Sequence, residues 1–231
     1  MNIFFIPARA GSKRVPGKNY SLIDSKPLIS YSIDFAISAA NDSDIIVVST
    51  DCPNIIKIAS SYETKIFIDK RRHDLAADSS KMIDVVIEFL ARMDNLHPSD
   101  TFILLQPTTP FRDHTTLTSL FDKFYSCSDA SSIFSVVDAD FYHPSKVGSV
   151  NSFGYFEPLI PNTEDNVDNK HKKPYYVVSG SFYLSSVRNL LQYESFIGPN
   201  PLAVIEENRN FVNIDNPHDL LLADFISSRL S

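Results

Sequence analysis

Short apolar runs separated by longer helical patterns constrain this chain more than any other feature. The runs are Ile3 to Ile6, Ile45 to Val48, Ile66 to Ile68 and Phe102 to Leu105. Their alternation with helical periodicity is the sign of successive βα units, and hence of a largely parallel sheet. Between the last two, "DSSKMIDVVIEFLARM" spaces Ile83, Val86, Ile87 and Leu90 at helical intervals, with Asp78 or Ser79 as the candidate N-cap. Further on, "GSFYLSS" and Phe211 to Ile214 read as strands. Asn216 and Pro217 then suit an N-cap and first helical position, and Leu222, Phe225 and Ile226 share a face of the helix that follows. Between about 138 and 176 the pattern loosens into aromatics, prolines and polar residues, which predicts a protruding excursion or a long loop.

At 231 residues the chain is long enough for one substantial core, so a single domain over 1–231 is expected. The net charge of -7 argues against a nucleic-acid surface. Cys52 and Cys127 have no metal or redox spacing and read as free thiols in a reducing cytoplasm. No apolar stretch approaches the ~20 residues of a membrane span.

Against that acidic background, residues 4–19, "FFIPARAGSKRVPGKN", gather Arg9, Lys13, Arg14 and Lys18 without one acidic residue. They follow a strand and share their loop with Gly11 and Gly17, where exposed backbone N–H groups can cradle phosphate oxygens. The dinucleotide fingerprint G-x-G-x-x-G is absent. A Walker loop is excluded too, since the two glycines stand one residue too far apart and Asn19 replaces Ser or Thr. A solvated basic loop is the ordinary explanation of such a run. Its position at a strand's carboxyl end, where open α/β sheets bind ligands, favours an anion site.

Two further segments belong with it. "FILLQPTTPFR", residues 102–112, runs from a strand into Gln106, two threonines and Arg112, placing an amide, hydroxyls and a cation on the same edge. In "NIDNPHD", residues 213–219, Asp215 follows an apolar run and suits Mg²⁺ binding together with phosphate oxygens. Asp219 is better explained by the helix dipole. The histidines form no zinc pattern, and no G-x-S-x-G is present.

At these motifs the chain resembles the acylneuraminate cytidylyltransferases, or CMP-sialic acid synthetases. "IPARAGSKRVPGKN" is similar to their nucleotide-binding signature, "LLQPTTPFR" to their central motif, and "NIDNPHDLLLAD" to their C-terminal carboxylate motif. "RRHDLAADSS" and "HPSK" resemble further family segments. The resemblance implies an α/β, Rossmann-like three-layer fold with a mostly parallel sheet, and makes the region at about 138–176 a small dimerisation arm of a homodimer. It implies a nucleotidyltransferase that couples CTP to a nonulosonic acid with Mg²⁺, releasing pyrophosphate. Ala8, Arg9, Gly11, Ser12, Lys13, Lys18, Asn19, Arg71 and Ser80 would bind the nucleotide, with Arg9, Lys13, Lys18 and Asp215 carrying catalysis. Gln106, Lys146, Ser179 and Tyr183 would face the sugar, and Asp215 would hold the metal; Arg14 receives no role.

Asn213 stands where the family often has a second aspartate, which favours a single metal ion. Ser179 and Gly180 stand where it favours Asn-Gly, which leaves sialic, legionaminic and pseudaminic acids as alternatives. Other readings are a 3-deoxy-manno-octulosonate-type cytidylyltransferase, whose signature lacks "GSK", and a nucleotide-binding module without chemistry.

Overall fold

The computed structural model describes the chain apart from residues 65, 78, 79, 140, 141, 161–172, 208, 209 and 231. In chain order its elements are β1 (Asn2–Pro7), β2 (Leu22–Ile23), β3 (Lys26–Pro27), α1 (Leu28–Ala39), β4 (Ile45–Thr50), α2 (Pro53–Ser60) and β5 (Phe67–Lys70). They continue as α3 (Met82–Ala91), β6 (Thr101–Leu104), α4 (His114–Ser126), β7 (Ser132–Asp138), β8 (Gly148–Val150) and β9 (Phe156–Pro158). The last are β10 (Tyr176–Ser186), α5 (Val187–Tyr193), β11 (Pro201–Ile205) and α6 (Pro217–Leu230).

Seven strands form the main sheet in the order β11-β7-β10-β6-β1-β4-β5. Among them β10 alone is antiparallel to its neighbours. β1 is flanked by β4 on one side and β6 on the other, so the chain reverses its direction of travel across the sheet there. The crevice above the carboxyl ends of β1 and β6 is the ligand position of such sheets.

Ile3 to Ile6 are all fully buried because both faces of β1 are covered. Phe4 and Ile6 pack with Ile29 and Ile33 of α1 and Leu117 and Leu120 of α4. Ile3 and Phe5 point the other way, against Val86 and Phe89 of α3 and Leu190 of α5. Helices on both faces make the three layers expected from the βα alternation.

The structure corrects the expected stripe on α3: Val85, Val86, Phe89 and Leu90 are buried, while Ile83 and Ile87 are only partly so. The Phe89 ring sits 5.2 Å from that of Phe5, and this large apolar contact sets the helix's rotation. Asp78 and Ser79 lie outside the described residues, and Lys81 at the N-cap position makes no side-chain cap.

Phe211 to Ile214 does not form a strand. Val212 and Ile214 are buried against Ile23, Leu28 and Ala223, and the Ile214 N–H donates to the Thr108 carbonyl at 2.8 Å. This burial explains the apolar run without a ladder. Asn216 caps α6 as expected, accepting from the N–H groups of His218 (2.8 Å) and Asp219 (3.2 Å). The expected face of that helix holds only at Ile226, which packs beside Ile23 and Ile214: Leu222 and Phe225 are 49% and 57% exposed, whereas Ala223 and Ser227 are buried. Small residues let α6 approach closely, with Ser227 Oγ 3.0 Å from the Tyr31 hydroxyl.

The excursion between β7 and β10 contains regular structure, since β8 and β9 pair as an antiparallel hairpin. Phe153, Tyr155 and Phe156 on it are exposed; Phe141 lies outside the described residues.

α4 starts at Asp113, whose Oδ1 accepts from the Thr116 N–H at 2.7 Å and whose Oδ2 accepts from the Thr116 hydroxyl at 2.8 Å. Burial pushes this carboxyl's pKa up, but the hydrogen bonds from Thr115 and Thr116 outweigh it and the net direction is down. A depressed folded-state pKa adds stability above the unfolded value, lost as pH falls through the folded one. Asp113→Ala should therefore lower stability at neutral pH by about 1 kcal/mol, as removal of a cap does. In thermal melts the penalty should shrink below roughly pH 4, and an equal penalty at both pH values would contradict this account. Asp113→Asn should stay close to the parent at neutral pH.

Candidate functional site

The basic loop begins where β1 ends, and hydrogen bonds to the end of β4 and to Asp51 just past it hold its frame. The Ala8 N–H donates to the Ser49 carbonyl (2.9 Å), the Thr50 hydroxyl to the Ala8 carbonyl (2.6 Å), and the Ala10 N–H to Asp51 Oδ1 (2.7 Å). Asn19 closes it from the far side by donating to the Arg9 carbonyl at 3.1 Å. Gly17 turns the chain at φ 70°, where a Cβ would stand 2.6 Å from the Tyr20 ring, so glycine is required there.

Below this loop lies a cavity of about 400 Å³. Of the residues singled out from sequence, Arg9, Gly11, Ser12, Lys13, Lys18, Asn19, Arg71 and Gln106 line it. Arg14, Met82 and Thr108 join them, and no role had been given to these three. Arg14 had a signal in its basic run and Thr108 in the segment after β6; Met82 had none, since its side of the cavity depends on how α3 approaches the loop.

Arg71 is buried, donating to the Ser49 carbonyl (3.1 Å) and hydroxyl (3.4 Å); burial lowers its pKa, with Asp51 and Asp69 opposing. Lys18 Nζ donates to the Ile214 carbonyl at 2.7 Å and lies 3.5 Å from Asp215 Oδ1. Burial pulls its pKa below the usual lysine value, while Asp215 opposes the change. Cations held in partly desolvated surroundings favour a bound anion over water.

Asp215 stands at the rim. Its Oδ1 also accepts from Arg14 Nη2 at 3.0 Å, so Arg14 has a partner across the cleft. Asp219 Oδ2 accepts from the N–H groups of Asp215 (2.7 Å) and Asn216 (2.9 Å), a local role that also fixes the Asp215 backbone. Among the described residues no group of three or more His, Cys, Asp or Glu side chains stands ready for a metal. A protein-only cage is therefore not formed. A lone rim carboxylate beside a cationic cavity does fit Mg²⁺, which completes its shell with phosphate oxygens and water.

The other expected residues lie outside the cavity lining. Ala8 is buried in the loop's frame, and the Ser80 hydroxyl donates to the Asp74 carbonyl at 3.0 Å. Lys146 is exposed on a short helical turn, Pro144–Lys146, in the excursion. Ser179 is buried, with its Oγ 2.6 Å from that of Ser135. Tyr183 is half-buried, flanked by Phe134 and Phe196 with ring centroids 6.1 Å and 5.8 Å away, and burial raises its pKa. Phe196, in an irregular stretch, carried no sequence signal. Arg112 does not present its charge to the cleft: its guanidinium turns to the Gln106 carbonyl at 2.5 Å and the Ser181 carbonyl at 2.8 Å.

Among the described residues no helix is long and apolar enough to cross a membrane.

Comparison with known proteins gives the family and the fold. The family described as cytidylyltransferase matches residues 3–193. The chain is 32% identical over 222 residues to the CMP-N,N'-diacetyllegionaminic acid synthase of Legionella pneumophila, covering 95% of this chain and 93% of that one. It is 27% identical over 220 residues to the N-acylneuraminate cytidylyltransferase of Streptococcus agalactiae, covering 95% of this chain but about half, 51%, of the relative. Among solved structures, a CMP:2-keto-3-deoxy-manno-octonic acid synthetase complexed with CTP superposes at a TM-score of 0.71 and 21% identity, covering 100% and 99% of the two chains, which establishes the shared fold. With the family match spanning most of its length, the chain belongs to the cytidylyltransferases and is a nucleotidyltransferase.

Proposed function

We propose that this cytidylyltransferase activates a nonulosonic acid with CTP, giving a CMP-sugar and pyrophosphate. The observation that carries the reading is the convergence of Arg9, Lys13, Lys18 and Arg71 on one cavity at the switch point of the sheet, with the Asp215 carboxylate paired to Lys18 at its rim. A triphosphate supplies the negative charge such a cavity lacks. The Legionella and Streptococcus relatives, named for CMP-nonulosonate chemistry, support the sugar class. The octulosonate alternative rests on a fold-level likeness at 21% identity and ranks below it.

In this reading the sugar's anomeric hydroxyl attacks the α-phosphorus in line. The sugar oxygen's bond to that phosphorus forms as the bond to the α–β bridging oxygen breaks, its electron pair leaving with pyrophosphate and the hydroxyl proton passing to water. Arg9, Lys13 and Lys18 hold the phosphates and neutralise the leaving group, while Ser12 and the Gly11 backbone complete the cradle. Asn19, Arg71 and the loop frame at Ala8 place the nucleoside, with Ser80 fixing the loop next to it. Gln106 and Tyr183 meet the acid sugar, Lys146 lies further out, and Ser179 acts by shaping β10. Mg²⁺ held by Asp215 and phosphate oxygens would add positive charge at the phosphates. The exposed aromatic hairpin β8–β9 suits a homodimer contact, and two free cysteines suit the cytoplasm.

Incubation with CTP, Mg²⁺ and a panel of sialic, legionaminic and pseudaminic acids should release pyrophosphate with at least one of them. CTP binding without pyrophosphate from any acid would instead indicate a binding module. Asp215→Ala should cut turnover by roughly 10²–10³-fold with an unchanged melting curve, and unaltered turnover would remove Asp215 from the mechanism. In sedimentation, a variant with the 148–158 hairpin replaced by a short linker should run as a monomer; an unchanged assembly state rules the hairpin out as the interface.

A further inference from the structure

Half-buried Arg112 and buried Glu206 stand within electrostatic reach of each other outside the cavity lining, and the chemistry above gives neither a role. Arg112 Nη2 donates to the Gln106 carbonyl at 2.5 Å and to the Thr109 hydroxyl at 3.0 Å. Its Nη1 donates to the Ser32 hydroxyl on α1 at 3.0 Å, and its Nε to the Ser181 carbonyl on β10 at 2.8 Å. One planar fork thus joins the segment after β6, helix α1 and the irregular part of β10. Burial draws the Arg112 pKa down to about 9, with Glu206 opposing, so the group is still charged at neutral pH.

Glu206 is 4% exposed just past β11. Its Oε1 accepts from the Ser181 hydroxyl at 3.2 Å, while Oε2 has no hydrogen-bond partner among the described residues. A buried carboxyl with one oxygen unbonded is costly to keep, and a nearby cation offsets that cost. Ser181 connects the two, since its carbonyl serves Arg112 and its hydroxyl serves Glu206.

What this relay holds is the backbone that carries two residues proposed to meet the sugar, Gln106 in the cavity lining and Tyr183 on β10. The Gln106 carbonyl receives Arg112 and also the Thr109 N–H at 3.2 Å, which fixes the backbone of Gln106, a residue of the cavity lining. On β10, Gly180 takes φ 82° and the register with β7 shifts between Val178 and Tyr183. Arg112 grips Ser181 inside that shift, two residues before Tyr183. Tyr183 stands opposite Leu104 where the β10–β6 ladder ends, and beyond that end the two segments are joined through one guanidinium. We propose that Arg112, backed by Glu206 through Ser181, is the positioning residue that sets where Gln106 and Tyr183 meet the acid sugar. The inference rests on the CMP-nonulosonate reading.

Lysine keeps the charge but has no fork with which to reach separated acceptors. In Arg112→Lys, KM for the acid sugar should rise on the order of tenfold, the size expected for losing a charge-assisted hydrogen bond. KM for CTP should stay within about twofold, since no cavity cation is touched. Glu206→Gln should move the same parameter in the same direction by less. CTP binding and melting curves on the same preparations show that the nucleotide half is folded. A merely structural role would raise both KM values together or lower stability with neither changed, and either result overturns the proposal. If the parent releases no pyrophosphate with any nonulosonic acid, the functional reading falls and takes this inference with it. If the parent turns over and both variants keep the parental sugar KM, only the inference falls.

Discussion

Backbone hydrogen bonds on both edges of β1 decide where the remaining groups can stand. Parallel pairing with β4 and β6 brings the ends of these three strands to one edge, and each delivers one wall of the cavity. The end of β4 supplies Ser49, Thr50 and Asp51, which frame the basic loop and hold Arg71. The end of β6 supplies Gln106 and, through the Thr108 carbonyl, the anchor for Ile214 and so for Asp215. These placements are cooperative, because a slip of β1 by one residue would exchange Phe4 and Ile6 with Ile3 and Phe5 across the sheet.

The electrostatics follow from the same arrangement. The chain carries -7 overall, yet its cations are concentrated where three strand ends meet. Distant acidic groups are screened beyond about 10 Å at ordinary ionic strength. Partly buried Lys18 and Arg71 act at shorter range and in poorer solvent, so the local sign prevails over the global one. Asp215 lies within this field and takes contacts from Lys18 and Arg14.

The sequence made the sheet legible because β1 is covered on both faces and leaves an unbroken apolar run. The cavity's cations were legible for a related reason, as Arg9, Lys13 and Lys18 follow that strand directly. Phe211 to Ile214 misled because local composition records burial, whereas a strand also needs a free edge supplied by distant residues. α3 misled in a finer way: Ile83 and Ile87 match the helical period, but the large ring of Phe89 against Phe5 fixes the rotation. For Arg112 the residue was legible and its direction was not, because its acceptors on β10 are 69 positions away. The pairing of Arg14 with Asp215 spans 201 positions and leaves no trace in either local segment.

The contact between Lys18 and the Ile214 carbonyl joins residues 196 positions apart. During synthesis at about 5–20 residues per second, the basic loop leaves the ribosome roughly 10–40 s before the segment that completes it. Throughout that interval the nascent chain displays an arginine- and lysine-rich cradle without its carboxylate. The phosphate site is thus finished only when the C-terminal part of the chain folds back onto its beginning.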